Sequence, residues 1–267
     1  MGIILDGKRL KDKVLSELKT LDNNSLGLVV IQIGNDDASN VYIKQKKMMA
    51  EALNMKFSEE LLPSDITTNE VIEIIEKYNK DDDYNGVLLQ LPIPKHIDYD
   101  LVVDAIDSNK DIDGLRNNSK FMPCTVLGIL KLLEEYQIDT INKRVVIIGK
   151  SRIVGKPLAD YFKNQGNEVI VCDTKTIDLK QEILKADILI SAAGIPKLVT
   201  KDMIKEGVIV IDVGMNRVDN KLVGDVDFEN VKDKCSFITP VPGGVGATTI
   251  AGLAINLVYG GNKYGNR

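Results

Sequence analysis

The sequence predicts an α/β protein of two domains, each built on a mostly parallel sheet. Three observations lead there. Strand-like apolar runs alternate with helical periods, the alternation restarts after a polar stretch near Asn117 to Pro123, and a glycine turn follows the first strand of the second half.

Leu10, Val14, Leu15, Leu18 and Leu21 fall on one face of a helix, and Leu28 to Ile33 then form a buried strand. A helix is expected from about Ser39 to Leu53, a short strand near Phe57, and a helix around Val71 to Tyr78. Gly86-Val87-Leu88-Leu89-Gln90 reads as the next strand, stopped by Pro92 and Pro94. In the second half a helix near Thr125 to Tyr136 leads into the strand Arg144 to Ile148, the glycine turn, and a helix ending at Gly166. Strands follow at Glu168–Cys172, Asp187–Ser191 and Val208–Asp212. The last helix, Gly246 to Tyr259, carries Ala247, Ala251 and Ala254 on one side, which suits close packing. The domains are accordingly expected at 1–122 and 123–242, with residues 243–267 packing back on the first.

Bulk composition narrows the function. Hydrophobic residues make up 44% and charged residues 27%, as in an ordinary globular enzyme. A net charge of −5 with mixed signs gives no electrostatic footprint for nucleic acid or an anionic membrane; the run Asp81-Asp82-Asp83 reads as a solvated turn. Three cysteines at wide spacing and one His support neither a disulfide framework nor a metal site. Met1 to Arg9 lacks an apolar signal core, and no apolar run approaches the ~20 residues of a membrane span, so the cytoplasm is the expected location.

Two segments carry chemistry. Gly149-Lys150-Ser151-Arg152-Ile153-Val154-Gly155 follows a buried strand and opens a helix, which brings backbone N–H groups up to a pyrophosphate. Its spacing is Gly-x-Ser-x-x-x-Gly, so taken alone an ordinary βα turn explains it as well. Context favours a dinucleotide. Asp173 closes the second strand 24 residues after Gly149, close to where such sites meet the adenosine ribose. Ser191-Ala192-Ala193-Gly194, after the third strand, leaves room for a nicotinamide ribose.

Ser39, Tyr42 and Lys46 sit at offsets that put all three on one helical face. A tyrosine and a lysine so placed can act as hydrogen-bond partner and proton shuttle; a nearby cation or partial desolvation would lower the Lys46 pKa, and the flanking Lys44 and Lys47 would help in that direction. A basic solvated face is the alternative explanation. Tyr-x-x-x-Lys also marks the short-chain dehydrogenases, but there it follows the cofactor turn, and here it precedes Gly149.

Four further segments complete a pattern: Gln90-Leu91-Pro92-Ile93-Pro94, Lys110-Asp111-Ile112-Asp113-Gly114, Val210-Ile211-Asp212-Val213-Gly214, and Thr239-Pro240-Val241-Pro242-Gly243-Gly244-Val245-Gly246. With Pro123-Cys124-Thr125 and the two segments above, they resemble the bifunctional methylenetetrahydrofolate dehydrogenase/methenyltetrahydrofolate cyclohydrolase family from about Gly7 to Tyr259, in family order.

The resemblance implies oxidation of methylenetetrahydrofolate to the methenyl cation, then hydrolysis to formyl-tetrahydrofolate. It implies an amino-terminal catalytic domain, a Rossmann domain, tetrahydrofolate substrates and a homodimer formed through the cofactor domains. Lys46 then handles protons, Tyr42 lines the pterin pocket, Gln90 bonds near Lys46, and Asp113 fixes the pterin ring. Leu91, Pro242, Gly243 and Gly244 are further substrate contacts, the glycines letting backbone approach the substrate between the domains. Gly149, Lys150, Ser151, Ile153, Asp173, Thr174 and Met215 are the expected cofactor contacts.

Several positions depart from the family. Lys150 stands where Arg or a small residue is usual, Asp173-Thr174 replaces His-Ser or His-Arg, and Val126 and Ala247 replace prolines. The stretch from Leu115 to Met122 is shorter than the family loop. NADP is the expected cofactor, with NAD the alternative if the Asp173 carboxylate faces the ribose. A monofunctional dehydrogenase and a dinucleotide sensor with a dead site are the rival functions; retention of Lys46, Gln90 and Asp113 speaks against them. His96, Cys124 and Cys172 read as packing residues.

Overall fold

Two parallel sheets organise the chain, each in its own unit. The computed structural model describes residues 2–219 and 221–260. One unit comprises the residues up to Lys11 together with Thr125–Thr249; the other comprises Asp12–Cys124 and the segment from Ile250.

The unit containing residues 12–124 is built on three parallel strands in the order β3-β2-β4: β2 (Gly27–Ile33), β3 (Lys56–Leu62) and β4 (Gly86–Leu89). The centre strand β2 is buried along its whole length, which is why it reads as an apolar run from Leu28 to Ile31, with the buried Gln32 before Ile33. The edge strand β3 is longer than the short strand expected near Phe57. Its Lys56, Ser58, Glu59 and Glu60 mask the pattern, and such polar residues also discourage edge-to-edge pairing. Around the sheet run α2 (Asp37–Ala52), α3 (Thr68–Asn79) and α4 (Tyr99–Ala105). Helix α3 opens with a reciprocal capping box between Thr67 and Glu70, and buries Val71, Ile75 and Tyr78.

In the other unit six parallel strands run in the order β1-β11-β8-β7-β5-β6. They are β1 (Ile3–Ile4), β5 (Arg144–Ile148), β6 (Glu168–Cys172), β7 (Ile188–Ser191), β8 (Val208–Asp212) and β11 (Cys235–Ile238). The chain passes from β5 to β6 on one side, then returns to β7 on the other side of β5. The carboxyl ends of β5 and β7 therefore flank a topological switch point, the place where open α/β sheets bind ligands. Helix α6 (Gly155–Asn164) leaves β5 through the glycine turn. A hairpin of β9 (Asn216–Val218) and β10 (Lys221–Val223) follows β8.

Within the expected span of 1–122 the first residues group apart from the rest. Strand β1 pairs with β11 of the six-stranded sheet, and residues up to Lys11 cluster with that unit. Two residues are too few to show a period, so β1 escapes pattern reading, as does β11 with its Ser236. Helix α1 (Gly7–Leu18) also ends earlier than the apolar stripe suggests. The buried Asn23 donates to the Leu18 carbonyl at 2.9 Å and stops it, leaving Leu21 exposed. Helices α5 (Cys124–Glu135), α7 (Leu179–Leu184) and α8 (Phe228–Val231) complete the large-sheet unit's connections.

The last helix, α9 (Val245–Tyr259), contributes Asn256 to the unit holding β2. Its amide donates to the carbonyls of Ile112 (2.8 Å) and Met122 (2.9 Å) and to Cys124 Sγ (3.5 Å). Part of the expected terminal helix, at 261–267, lies outside the described residues. Asn256→Ala leaves both carbonyls without this donor in a dry setting. It is expected to destabilise the chain by about 1–3 kcal/mol in urea unfolding. A loss below about 0.5 kcal/mol would mean that the helix is held by packing alone.

Candidate active site

Helix α2 carries the Ser39, Tyr42 and Lys46 face, and its start is fixed by hydrogen bonds. Asp36 caps it, accepting from Ser39 N (2.8 Å) and Ser39 Oγ (2.9 Å). Ser39 is buried, and its hydroxyl also lies 3.4 Å from the Leu91 carbonyl. Its place on the helix face is thus a structural one.

Lys46 lies deeper on the same face, with 9% of its surface exposed. Its Nζ donates to Gln90 Oε1 at 2.7 Å. The Gln90 Nε2 in turn donates to the Leu91 carbonyl at 2.7 Å, which fixes which amide atom faces Lys46. Gln90 follows directly on β4, and the Leu91–Pro92 peptide after it is cis.

Burial pushes the Lys46 ammonium below its usual pKa, and the nearby carboxylate of Asp113 opposes the shift. Of the two expected causes desolvation is the one that acts; Lys44 and Lys47 are exposed and do not contribute, which corrects the help expected from them. At i−2 and i+1 on a helix they face away from Lys46. Burial also raises the Tyr42 pKa, so its hydroxyl stays protonated at neutral pH.

Within the acidic turn the two carboxylates divide. Asp111 is fully buried and accepts from Leu115 N and Arg116 N, both at 3.0 Å, which ties down the start of the short stretch after Gly114. Asp113 is half-buried and interacts electrostatically with Lys46 and Cys124. The Cys124 thiol, also against the Ile112 carbonyl at 3.1 Å, is held well above its usual pKa by burial. Lys46, Gln90, Leu91 and Asp113 thus gather in one unit, with Tyr42 one helical turn before Lys46. His96 instead sits at the surface, its Nε2 2.9 Å from the Ile66 carbonyl.

The remaining expected site residues belong to the other unit. Gly149 ends β5 with φ +102, and a Cβ there would stand 2.4 Å from the Ala192 carbonyl oxygen, so only glycine fits. Helix α6 starts without a side-chain cap at Val154; Gly155 N turns to Ser151 Oγ at 3.4 Å and Lys156 N to the Ser151 carbonyl at 3.0 Å. Ile153 is half-buried in this turn. Lys150 is exposed and pairs with Asp173 across 2.6 Å. Asp173 also accepts from Lys175 N (2.8 Å), and Thr176 rather than Thr174 bonds its backbone, leaving Thr174 exposed. A glycine with no room for a Cβ, beside a cation and hydroxyls at a switch point, fits an anionic dinucleotide.

Met215 lies exposed beyond β8, its Cε within 2.9 Å of where a Gly246 Cβ would be. Pro242, Gly243 and Gly244 form a loop after the cis Val241–Pro242 peptide. The Gly243 carbonyl there accepts from Gly7 N (2.9 Å) and Lys8 N (3.2 Å) at the start of α1. Sequence reasoning missed Asp225, a buried carboxylate that ties together the loops following β7 and β8. No motif marks it, because three of its partners are backbone amides and the two side chains, Ser191 and Asn216, are separated from it in sequence. Among the described residues no cluster of side chains suits a metal, and no helix is long and apolar enough to cross a membrane.

A doubly wound sheet with a glycine turn at its switch point, joined in one chain to a buried lysine on a helix of a separate three-stranded unit, defines a two-unit dinucleotide-dependent enzyme. The chain belongs to the tetrahydrofolate dehydrogenase/cyclohydrolase family: residues 5–113 match its catalytic domain and 123–264 its NAD(P)-binding domain. It is 47% identical to the bifunctional protein FolD of Campylobacter jejuni (strain RM1221), covering 96% of both chains. The crystal structure of a FolD methylenetetrahydrofolate dehydrogenase/cyclohydrolase from Campylobacter jejuni superposes with a TM-score of 0.93 at 45% identity, covering 98% of this chain and 99% of that one. The Trypanosoma brucei enzyme, solved with NADP and an inhibitor, gives a TM-score of 0.92 at 29% identity, covering 100% and 99%.

The burial of Lys46 has a stability cost with a definite sign. Its pKa is lower folded than unfolded, so between the lowered value and about 10.5 the unfolded chain binds more protons, and stability rises with pH. Lys46→Met keeps the length of the side chain and removes the charge. The variant is expected to be at least as stable as the parent at neutral pH, with an advantage that shrinks at alkaline pH. Destabilisation at neutral pH that fades at alkaline pH in urea unfolding would show that pairing outweighs desolvation.

Proposed function

We propose that the chain oxidises 5,10-methylenetetrahydrofolate to 5,10-methenyltetrahydrofolate with NADP and hydrolyses the product to 10-formyltetrahydrofolate. The observation that carries this reading is the buried Lys46 hydrogen-bonded to Gln90 at 2.7 Å, in a chain whose family joins both activities. Bound dinucleotide supplies the hydride acceptor for the first step.

The chain's own residues do the rest. Tyr42 and Leu91 line the folate pocket, and Asp113 accepts N–H donors of the pterin edge. The Gly149 turn, with Ser151 and Ile153, holds the pyrophosphate, and Met215 borders the nicotinamide. Pro242, Gly243 and Gly244 present backbone to the substrate.

In hydrolysis, water adds to the methenyl carbon and gives up a proton. A lysine whose ammonium is destabilised by burial can accept that proton as the neutral amine. The carbon–N5 bond then breaks, N5 is protonated, and the hydroxyl proton leaves to form the formyl group. Gln90 keeps the Lys46 Nζ in place, because the Leu91 carbonyl prevents its amide from turning over. The full reading includes a homodimer formed through the cofactor domains and a cytoplasmic location.

An absorbance assay that follows the methenyl species with each nicotinamide cofactor tests the reading directly. Lys46→Met is expected to lower hydrolysis by about 2–4 powers of ten while folate still binds; hydrolysis at the parent rate would reject the proton role. Asp113→Ala is expected to weaken folate binding by about 1–3 kcal/mol and to depress both activities together.

Cofactor choice turns on the Lys150–Asp173 pair. The pairing takes up the negative charge that would repel a 2′-phosphate, which supports NADP. Asp173→Ser frees Lys150 and is expected to raise the NADP to NAD ratio of kcat/KM, whereas Lys150→Ala exposes the carboxylate and lowers it. If neither variant moves the ratio by more than about twofold, this pair does not set the preference.

A further inference from the structure

Five hydrogen-bond donors converge on one carboxylate outside the residues assigned above. Asp225 is fully buried. Its Oδ2 accepts from Ser191 Oγ (3.1 Å), Ala193 N (2.7 Å) and Gly194 N (3.1 Å). Its Oδ1 accepts from Ile195 N (3.0 Å) and Asn216 Nδ2 (3.0 Å). Three of the donors are successive backbone amides of the loop after β7, and Asn216 follows Met215 in the segment after β8.

Asp225 is itself fixed. Its backbone N donates to Asp212 Oδ1 at 3.0 Å, and Val226 N donates to Asp212 Oδ2 at 3.0 Å. Gly214 approaches so closely that a Cβ would lie 2.1 Å from Asp225 Oδ1. That contact explains the glycine in Val210-Ile211-Asp212-Val213-Gly214 without any ligand.

The two loops held by Asp225 occupy a defined place. The Ala192 carbonyl lies against Gly149 of the dinucleotide turn, and Ser191 pairs in register with Ile148 on one side and Asp212 on the other. The carboxyl ends of β5, β7 and β8 thus form a continuous edge at the switch point, and its β7 and β8 loops share a single anchor.

We propose that Asp225 is the positioning residue for the nicotinamide side of the dinucleotide pocket, acting through the Ser191–Ile195 loop and the segment around Asn216. The assignment rests on the dinucleotide-dependent reading given above. An anion that accepts from both loops fixes their separation, and no neutral side chain of the same shape can replace it. In Asp225→Asn the new NH2 group faces N–H donors on whichever side it points, so at least one loop loses its anchor.

The test uses the purified full chain. NADP affinity is measured by calorimetry, and hydrolysis of methenyltetrahydrofolate is followed without dinucleotide. Asp225→Asn is expected to raise the NADP Kd and the dehydrogenase KM for NADP by about 10- to 100-fold, with hydrolysis within about twofold of the parent. Ser191→Ala and Asn216→Ala each remove one donor, and each is expected to raise the NADP Kd by about 3- to 10-fold. Parent-like NADP binding by a hydrolytically active Asp225→Asn overturns the proposal. If that variant loses hydrolysis too, the single-donor variants decide, and unchanged Kd values in both overturn it. A parent chain that binds no NADP overturns the functional reading and this assignment together, whereas a parent that binds it beside unaffected variants overturns this assignment alone.

Discussion

An ammonium group carried out of water must find an acceptor or give up its proton, and the unit around β2 is arranged about that constraint. The acceptor for Lys46 is Gln90, at the end of β4. Gln90 serves only if its oxygen faces the lysine, which the Leu91 carbonyl secures by taking the amide hydrogens. The same carbonyl lies within reach of Ser39 on the first turn of α2, the helix that bears Lys46. Helix, strand end and following turn thus form a closed loop of polar contacts, and each member fixes the next. Helix α2 can hold its lysine in the interior because the first turn of that helix is tied to the acceptor's neighbour.

The six-stranded unit meets the opposite problem, that of buried anions, and solves it with backbone. Asp212 is raised to about 7, chiefly by burial and partly by the charge of Asp225, against three backbone amides that favour its ionised form. Asp225 gathers three amides of the β7 loop. Strand ends in a parallel sheet leave N–H groups that the ladder no longer satisfies, and two carboxylates absorb them here. On the β2 side a side-chain amide holds a cation ready to lose its proton; on this side amides hold a carboxylate in place. The first arrangement favours proton exchange, the second rigidity.

The long buried strands and the main helices were legible because burial on both faces gives β2, β5 and β7 apolar cores, at residues 28–31, 145–148 and 188–190. So was the shared face of Ser39, Tyr42 and Lys46, since helical spacing alone places them. What the residues do there was only partly legible. Ser39 caps and bridges, and of the two causes expected to lower the Lys46 pKa burial acts while Lys44 and Lys47 do not. Strands β1 and β11 went unseen because short pieces show no period, and with them the attachment of the first residues to the large sheet. Asp225 was invisible for a different reason. A carboxylate that serves mainly backbone amides leaves little trace in the identities of its partners, here only Ser191, Asn216 and the glycine that must make room for it.

The three contacts of Asn256 bear on the order in which the chain can mature. Ile112, Met122 and Cys124 leave the ribosome long before their shared donor does, and the unit that contains them draws on the segment from Ile250. During synthesis the strands β2, β3 and β4 can pair, yet two carbonyls near the acidic turn wait for an amide made more than a hundred residues later. The nascent chain therefore carries these two carbonyls without that donor while residues 125–249 of the six-stranded unit are translated. The acidic turn can already close on Asp111, whose carboxylate accepts from Leu115 N and Arg116 N, so the late helix adds a last donor to a turn that is otherwise made.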